Sequence, residues 1–142
     1  VTGEKENEVQ IVTAGVIEQV GKVLIARRKK AGYSGKRWEF PGGTLEAGET
    51  PEECLRRELR EELSIEAAIG ELICACRYTF NNARTIELMA YRAEHLSGDI
   101  ELRDHDEIRW VELDQLPLYD FPEPDKPIVE KLIEEAARRA ST

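Results

Sequence analysis

Three glutamates crowd into one short run, Arg57-Glu58-Leu59-Arg60-Glu61-Glu62. At roughly 100° per helical residue, Glu58, Glu61 and Glu62 fall within an arc of about 100°. Leu55, Leu59 and Leu63 form the adjoining stripe, which can face a core. The carboxylates therefore converge where buried surface meets water. Left alone they repel, by roughly a few tenths of a kcal/mol for the i,i+4 pair Glu58 and Glu62. A hard divalent cation with oxygen ligands removes that repulsion, and Mg²⁺ commonly takes one or two carboxylates, substrate phosphates and some water. Such a helix is suited to presenting metal to a phosphate chain. Just upstream, Pro41-Gly42-Gly43 permits a sharp bend and close approach of backbone to a ligand. A free carbonyl there would add one more hard oxygen. Arg57 has a fork of donors to hold a carboxylate, with Glu49 as the expected partner. A solvated acidic helix after a turn would carry the same Glu-rich run. The full spacing is more telling: Gly43, five residues, Glu49, seven residues, then Arg57-Glu58. Chance produces it in on the order of one sequence per thousand.

The elements that must position these groups can be read from periodicity and turn chemistry. Residues 9–18 alternate and are rich in Val and Ile, Gly21 turns the chain, and residues 22–28 read as the partner strand. Residues 31–35 read as a loop, 38–40 as a short apolar strand, and 44–48 as a second loop. Thr50-Pro51-Glu52-Glu53 is a helix start: Thr50 caps, Pro51 suits the first position, and Glu53 completes a capping box. The helix is expected to end near Leu63. Strands follow at 69–80, 85–94 and 108–112, then a helical turn at 114–116, a stiff loop at 121–125 and an amphipathic helix at 127–139. Strands, helix, strands, helix is the order of an α/β or α+β sandwich with a mixed sheet.

The chain has 142 residues, enough for one ordinary domain spanning 1–142, and 41% of them are hydrophobic, enough for a packed core. Cys54, Cys74 and Cys76 do not make a disulfide framework, and Cys74 and Cys76 are read as strand residues on one face without a metal role. No apolar run is long enough for a membrane helix, and Val1 to Glu8 has no signal-peptide core, so the expected compartment is the cytoplasm. The net charge of −9 argues against non-specific binding to nucleic acid or membrane, although a polyanion can still bind across metal ions.

Residues 43–65 resemble the Nudix box, G-x5-E-x7-R-E-U-x-E-E-x-G-U with U apolar, through Gly43, Glu49, Arg57, Glu58, Leu59, Glu61, Glu62 and Ile65. Ser64 stands where the family usually has Gly, at a position expected to want a left-handed cap. The resemblance implies the Nudix fold, an α/β/α sandwich. It also implies Mg²⁺-assisted attack of water on a nucleoside diphosphate linked to another group, with Mn²⁺ as a substitute. It assigns Glu58, Glu61 and Glu62 as metal ligands with the Gly42 carbonyl beside them, and Arg57 and Glu49 as the supporting ion pair.

Similarity to the MutT-type branch runs further, through Ile25-Ala-Arg-Arg28, Trp38-Glu-Phe-Pro-Gly-Gly43, Arg77-Tyr-Thr-Phe80 and Phe121-Pro-Glu-Pro-Asp-Lys-Pro127. That branch includes 8-oxo-dGTP diphosphatases and CTP/5-methyl-dCTP pyrophosphohydrolases, which release pyrophosphate and serve nucleotide-pool cleaning and DNA repair. The resemblance places Arg28, Glu39, Phe40, Phe80, Arg84 and Asp125 around the nucleoside, and Asp104 near the metals as an extra ligand or general base. A plain structural role stands beside several of these: an exposed strand end for Arg28, core packing for Phe40 and Phe80, helix capping for Asp125, an exposed loop for Asp104. Asp125 sits where bacterial 8-oxo-dGTP enzymes tend to have Asn and cytidine-preferring relatives have Asp. An ionised Asp only accepts, which suits the N–H donors of guanine and the amino group of cytosine alike. Oxidised guanine nucleotides lead, with CTP and 5-methyl-dCTP as the alternative. No Pro lies between Arg77 and Tyr91, which disfavours the ADP-ribose branch. A non-catalytic nucleotide sensor is the reading from another class, and the complete glutamate set argues against it; the net charge counts against an RNA-end substrate. A monomer or homodimer is expected.

Overall fold

The computed structural model of the chain describes residues 8–28 and 37–140. Among the described residues, seven strands make one mixed sheet: β1 (Val9–Gln19), β2 (Lys22–Arg28), β3 (Trp38–Glu39), β4 (Gly42–Thr44), β5 (Glu66–Thr79), β6 (Thr85–Ser97) and β7 (His105–Glu112). Helix α1 (Pro51–Leu63) lies between β4 and β5, and α2 (Lys126–Ala140) closes the described chain. Strand β1 is shared by two half-sheets. Along Val9 to Ile17 it runs parallel to β6, and at Glu18 and Gln19 it passes to β2, which pairs in turn with β3 and β7.

Alternation along the central strands builds two cores. Ala14 and Val16 of β1, Val23 and Ile25 of β2, and Leu88 and Ala90 of β6 face α2, where they meet Ile128, Val129 and Leu132. Ile17, Leu24, Tyr91 and Ala93 of the same strands face the opposite way, onto Leu55, Leu59 and Leu63 of α1. A sheet buried on both faces needs apolar residues at successive positions, as at Val16 and Ile17 of β1 and Val23 to Ala26 of β2. The architecture is the expected α/β/α sandwich.

Helix α1 starts and stops where its caps dictate. Thr50 Oγ1 accepts the Glu53 amide at 3.1 Å, and the Glu53 carboxylate accepts the Thr50 amide at 2.8 Å. At the other end Ser64 adopts φ 61°, ψ 31°, and its amide returns to the Arg60 carbonyl at 3.0 Å. The Leu63 and Glu62 carbonyls accept the Glu101 and Arg103 amides, so the segment before β7 caps the helix. The left-handed conformation costs Ser about 1 kcal/mol relative to Gly. We expect Ser64→Gly to raise the melting temperature by about 3 °C, since the exposed hydrogen bonds from Arg103 to Ser64 Oγ return little. A calorimetric scan that shows no rise would mean those bonds offset the backbone cost.

Several elements differ from the sequence reading. Gly42–Thr44, expected as a bend running into a loop, is a strand paired antiparallel with Val12, Thr13 and Ala14. Two glycines hide a strand from propensity, and only the neighbour reveals it. Strand β5 starts earlier than expected, and β6 runs on to Ser97. Strand β7 begins at His105 rather than Ile108 because pairing with Arg28 extends it past a bulge. Within the stiff loop, Glu123–Asp125 forms one 3₁₀ turn, and another spans Leu113–Leu118. Residues 31–35, expected as a loop, lie outside the described residues. Cys54, Cys74 and Cys76 are free thiols, and no described helix is long and apolar enough to cross a membrane.

Candidate active site

Strand β4 is the wall on which the site is built. In an antiparallel ladder alternate residues face the partner strand. Gly43 faces β1, where its carbonyl accepts the Thr13 hydroxyl at 3.2 Å. Gly42 faces away, and its amide donates to Glu62 Oε1 at 3.1 Å. Gly43 lies directly against Glu58: a Cβ there would come within 2.3 Å of the Glu58 carboxyl carbon.

Arg57 gathers the other acids. Its Nε and Nη2 bind the two oxygens of Glu49 at 2.7 and 2.9 Å, as the expected ion pair requires. Its Nη1 reaches Glu58 at 2.9 Å and Glu61 at 3.2 Å, and Nη2 also donates to the Thr44 carbonyl. One guanidinium thus ties the loop, β4 and two of the three helix glutamates together. Glu49 is drawn down to about 2 by the Arg57 hydrogen bond and the Glu46 amide. Glu58 is pushed the other way, by burial first and by the charges of Glu61 and Glu46, against the pull of Arg57.

Glu62 stands apart from that hub, with only 4% of its side chain exposed. Burial pushes its carboxyl up to about 8; Arg28 opposes the shift, while the charges of Glu39 and Glu58 add to it. A carboxyl this costly to ionise, beside a second carboxyl also pushed up, marks a place where positive charge is short. Glu58, Glu61, Glu62 and the Gly42 carbonyl are hard oxygens, the donor set a Mg²⁺ or Mn²⁺ ion takes, so the residues fit such an ion.

Beside Glu62 lies a cluster the sequence reading only half anticipated. Arg28 grips Glu39 with Nε and Nη2, each at 3.1 Å, and Nη2 lies 3.5 Å from Glu62 Oε2. His105, fully buried, contacts Glu39 Oε2 through Nε2 at 3.0 Å. Oxygens of Glu39 and Glu62 and a nitrogen of His105 lie within 4.8 Å of one another, a spacing a metal could use. The Arg28 guanidinium already supplies the cation between those two carboxylates. His105 was missed because a strand beginning at Ile108 leaves it in a loop. Its signal was one of only two histidines, three residues upstream of an apolar strand.

The same wall closes a cavity of about 660 Å³, within the usual range for small-molecule sites. Arg28, Glu39, Phe40, Phe80, Arg84 and Asp125, the residues expected around the nucleoside, all line it together with Gly42 and Gly43. Phe40 is also core, 4% exposed and stacked on Phe121 at 5.2 Å. Phe80 lies edge-on to Tyr78, and the Arg84 guanidinium covers its ring at 5.2 Å. The Asp125 carboxyl takes the Phe40 amide; burial first, and the Glu39 charge second, push it up to about 7. Asp104 is exposed, and its charge reaches Arg28.

The family model described as NUDIX domain matches residues 9–132. The CTP pyrophosphohydrolase of Escherichia coli strain K12 is 33% identical over 128 residues, covering 90% of this chain and 94% of that protein. A putative 8-oxo-dGTP diphosphatase 2 of Mycobacterium tuberculosis is 38% identical over 120 residues, covering 82% of this chain and 83% of that one. The solution structure of the E. coli ORF135 protein superposes with a TM-score of 0.83 at 31% identity, over 95% of this chain and 96% of that one. With the helix carboxylates, their Arg57 hub and the two-faced sheet on the same footing, this chain belongs to the Nudix hydrolase family.

Proposed function

We propose that the protein hydrolyses a nucleoside triphosphate to the monophosphate and pyrophosphate, acting first on oxidised guanine nucleotides such as 8-oxo-dGTP, in nucleotide-pool cleaning. The supporting observation is that the cavity and the carboxylate helix share β4. A nucleoside held by Phe40, Phe80 and Asp125 would extend its phosphates past Gly42 and Gly43 toward Glu58 and Glu62. Bound there, Mg²⁺ would neutralise phosphate charge, polarise the phosphorus and lower the pKa of water. Glu58, Glu61 and Glu62 would hold it, and Arg57 fixes two of them. Arg28, which lines the cavity, offers charge to the phosphates or the sugar. Water adds to the β-phosphorus, the bond to the oxygen bridging the α-phosphorus breaks, and that oxygen leaves with the monophosphate.

Asp125 supports two bases. Ionised, it accepts from the guanine N–H edge or the cytosine amino group; protonated, it also donates. The E. coli relative favours cytidine triphosphates as the second reading, since it spans more of the chain at similar identity. Pyrophosphate release from 8-oxo-dGTP, dGTP, CTP, dCTP, 5-methyl-dCTP and ADP-ribose, each with and without Mg²⁺, tests the proposal. Metal-dependent release, with 8-oxo-dGTP highest in kcat/KM, is the expected result. CTP or 5-methyl-dCTP at the top would replace the substrate, and nucleotide binding without turnover would replace the enzyme with a sensor. Asp125→Asn should alter the ratio of kcat/KM between 8-oxo-dGTP and CTP by about tenfold. An unchanged ratio would remove Asp125 from base recognition.

A further inference from the structure

We infer that His105 is a positioning residue of the nucleotide site, which acts through Glu39 to hold Arg28 toward the cavity. The inference rests on the nucleotide reading above for its ligand, while its geometry stands by itself. His105 Nε2 lies 3.0 Å from Glu39 Oε2, an oxygen that also binds Arg28 Nη2. Facing a carboxylate, Nε2 carries a proton and donates it to Glu39. Nδ1 is buried and has no hydrogen-bond partner among the described residues. An apolar side chain of similar volume would fill that space without an orphaned nitrogen. What only the imidazole supplies is the bond to Glu39.

That bond settles a competition. Arg28 stands at the end of β2, where the register shifts, and three acids are near it: Glu39, Glu62 and Asp104. With Glu39 fixed by His105, the Nε and Nη2 edge of Arg28 is committed to Glu39, and Glu62 keeps only the longer contact at 3.5 Å. The Nη1 corner has no hydrogen-bond partner among the described residues, on a side chain that lines the cavity and is 39% exposed. Those donors are left for an anionic or hydroxyl oxygen of the ligand. Without His105 the Glu39 carboxyl can turn, and Arg28 is free to fall onto Glu62 or Asp104.

Two variants separate this role from packing. His105→Leu removes the donor, whereas His105→Gln keeps an amide N–H at nearly the reach of Nε2. In the ligand-free protein, proton exchange at Arg28 Nε–H, followed by ¹⁵N NMR, should quicken about tenfold in His105→Leu and stay near wild type in His105→Gln. In steady-state assays with 8-oxo-dGTP and CTP, His105→Leu should raise KM about tenfold with kcat changed much less, and His105→Gln should restore KM. In an Arg28→Ala background His105→Leu should add nothing further to KM. Unchanged Arg28 exchange in His105→Leu overturns the inference. So does a Gln variant that behaves as Leu, or an equal KM effect once Arg28 is gone. A wild-type protein that turns over neither nucleotide would defeat the functional reading instead, and the exchange measurement would still decide His105.

Discussion

Glu62→Gln is expected to lower turnover by roughly a thousandfold while making the metal-free protein more stable at alkaline pH. The two effects have one origin. Glu62 is nearly fully buried, and its carboxyl is pushed from 4.5 up to about 8, chiefly by that burial. In the unfolded chain it ionises in the ordinary range, so the folded state holds its proton to higher pH. Its contribution to stability is therefore complete below about 4.5 and is lost as pH rises through about 8. At about 1.4 kcal/mol per unit the loss amounts to several kcal/mol at most. Gln has nearly the same shape, can still face the Gly42 amide with its carbonyl, and does not titrate. Thermal unfolding in chelator across that pH window should show a falling melting temperature for the parent and a flatter line for the variant. Activity in Mg²⁺ should show the reverse ranking, because Gln cannot supply the negative oxygen the site is built around. Full activity in the variant would remove Glu62 from the metal assignment. Parallel pH profiles of stability would mean that Glu62 ionises normally in the fold.

The adjacent glycines should fail in opposite ways when replaced by Ala. At Gly42 the added carbon would lie 2.0 Å from the Thr13 carbonyl oxygen and 2.9 Å from the Ala14 Cα, both backbone atoms of β1. Neither can move without opening the β1–β4 ladder, so Gly42→Ala should cost about 3 kcal/mol and lower the melting temperature by about 10 °C. At Gly43 the carbon would meet the carboxyl end of Glu58, at 2.3 to 2.6 Å. That group can swing aside, so Gly43→Ala should leave the melting temperature within a few degrees and cut turnover about a hundredfold. Calorimetry and pyrophosphate release on both variants check the contrast. An active, stable Gly43→Ala protein would show that Glu58 can serve from another rotamer.

Helix α1 was legible in the sequence almost to the residue, because its determinants are local. Thr50, Pro51 and Glu53 cap one end, Ser64 takes the left-handed turn at the other, and the leucine stripe follows the helical period. The pairing of Arg57 with Glu49 follows from the spacing within one loop and the first two turns of helix. The strands at residues 9–18 and 22–28 were legible from their Val- and Ile-rich pattern, but their burial on both faces was not, because it needs a helix on each side. What the tertiary structure decided is non-local. Gly42–Thr44 is a strand only because β1 lies beside it, and glycine carries no propensity that announces this. The separation of Glu62 from Glu58 and Glu61 depends on which partner each carboxylate meets: the Gly42 amide and Arg28 for one, Arg57 for the others. His105 joined the site only because β7 pairs with β2 and so brings residues 28, 39 and 105 together across a buried gap. A sequence specifies caps and periods through neighbours a few residues apart, but the charge felt by a buried carboxyl is set by whatever chain the fold carries next to it.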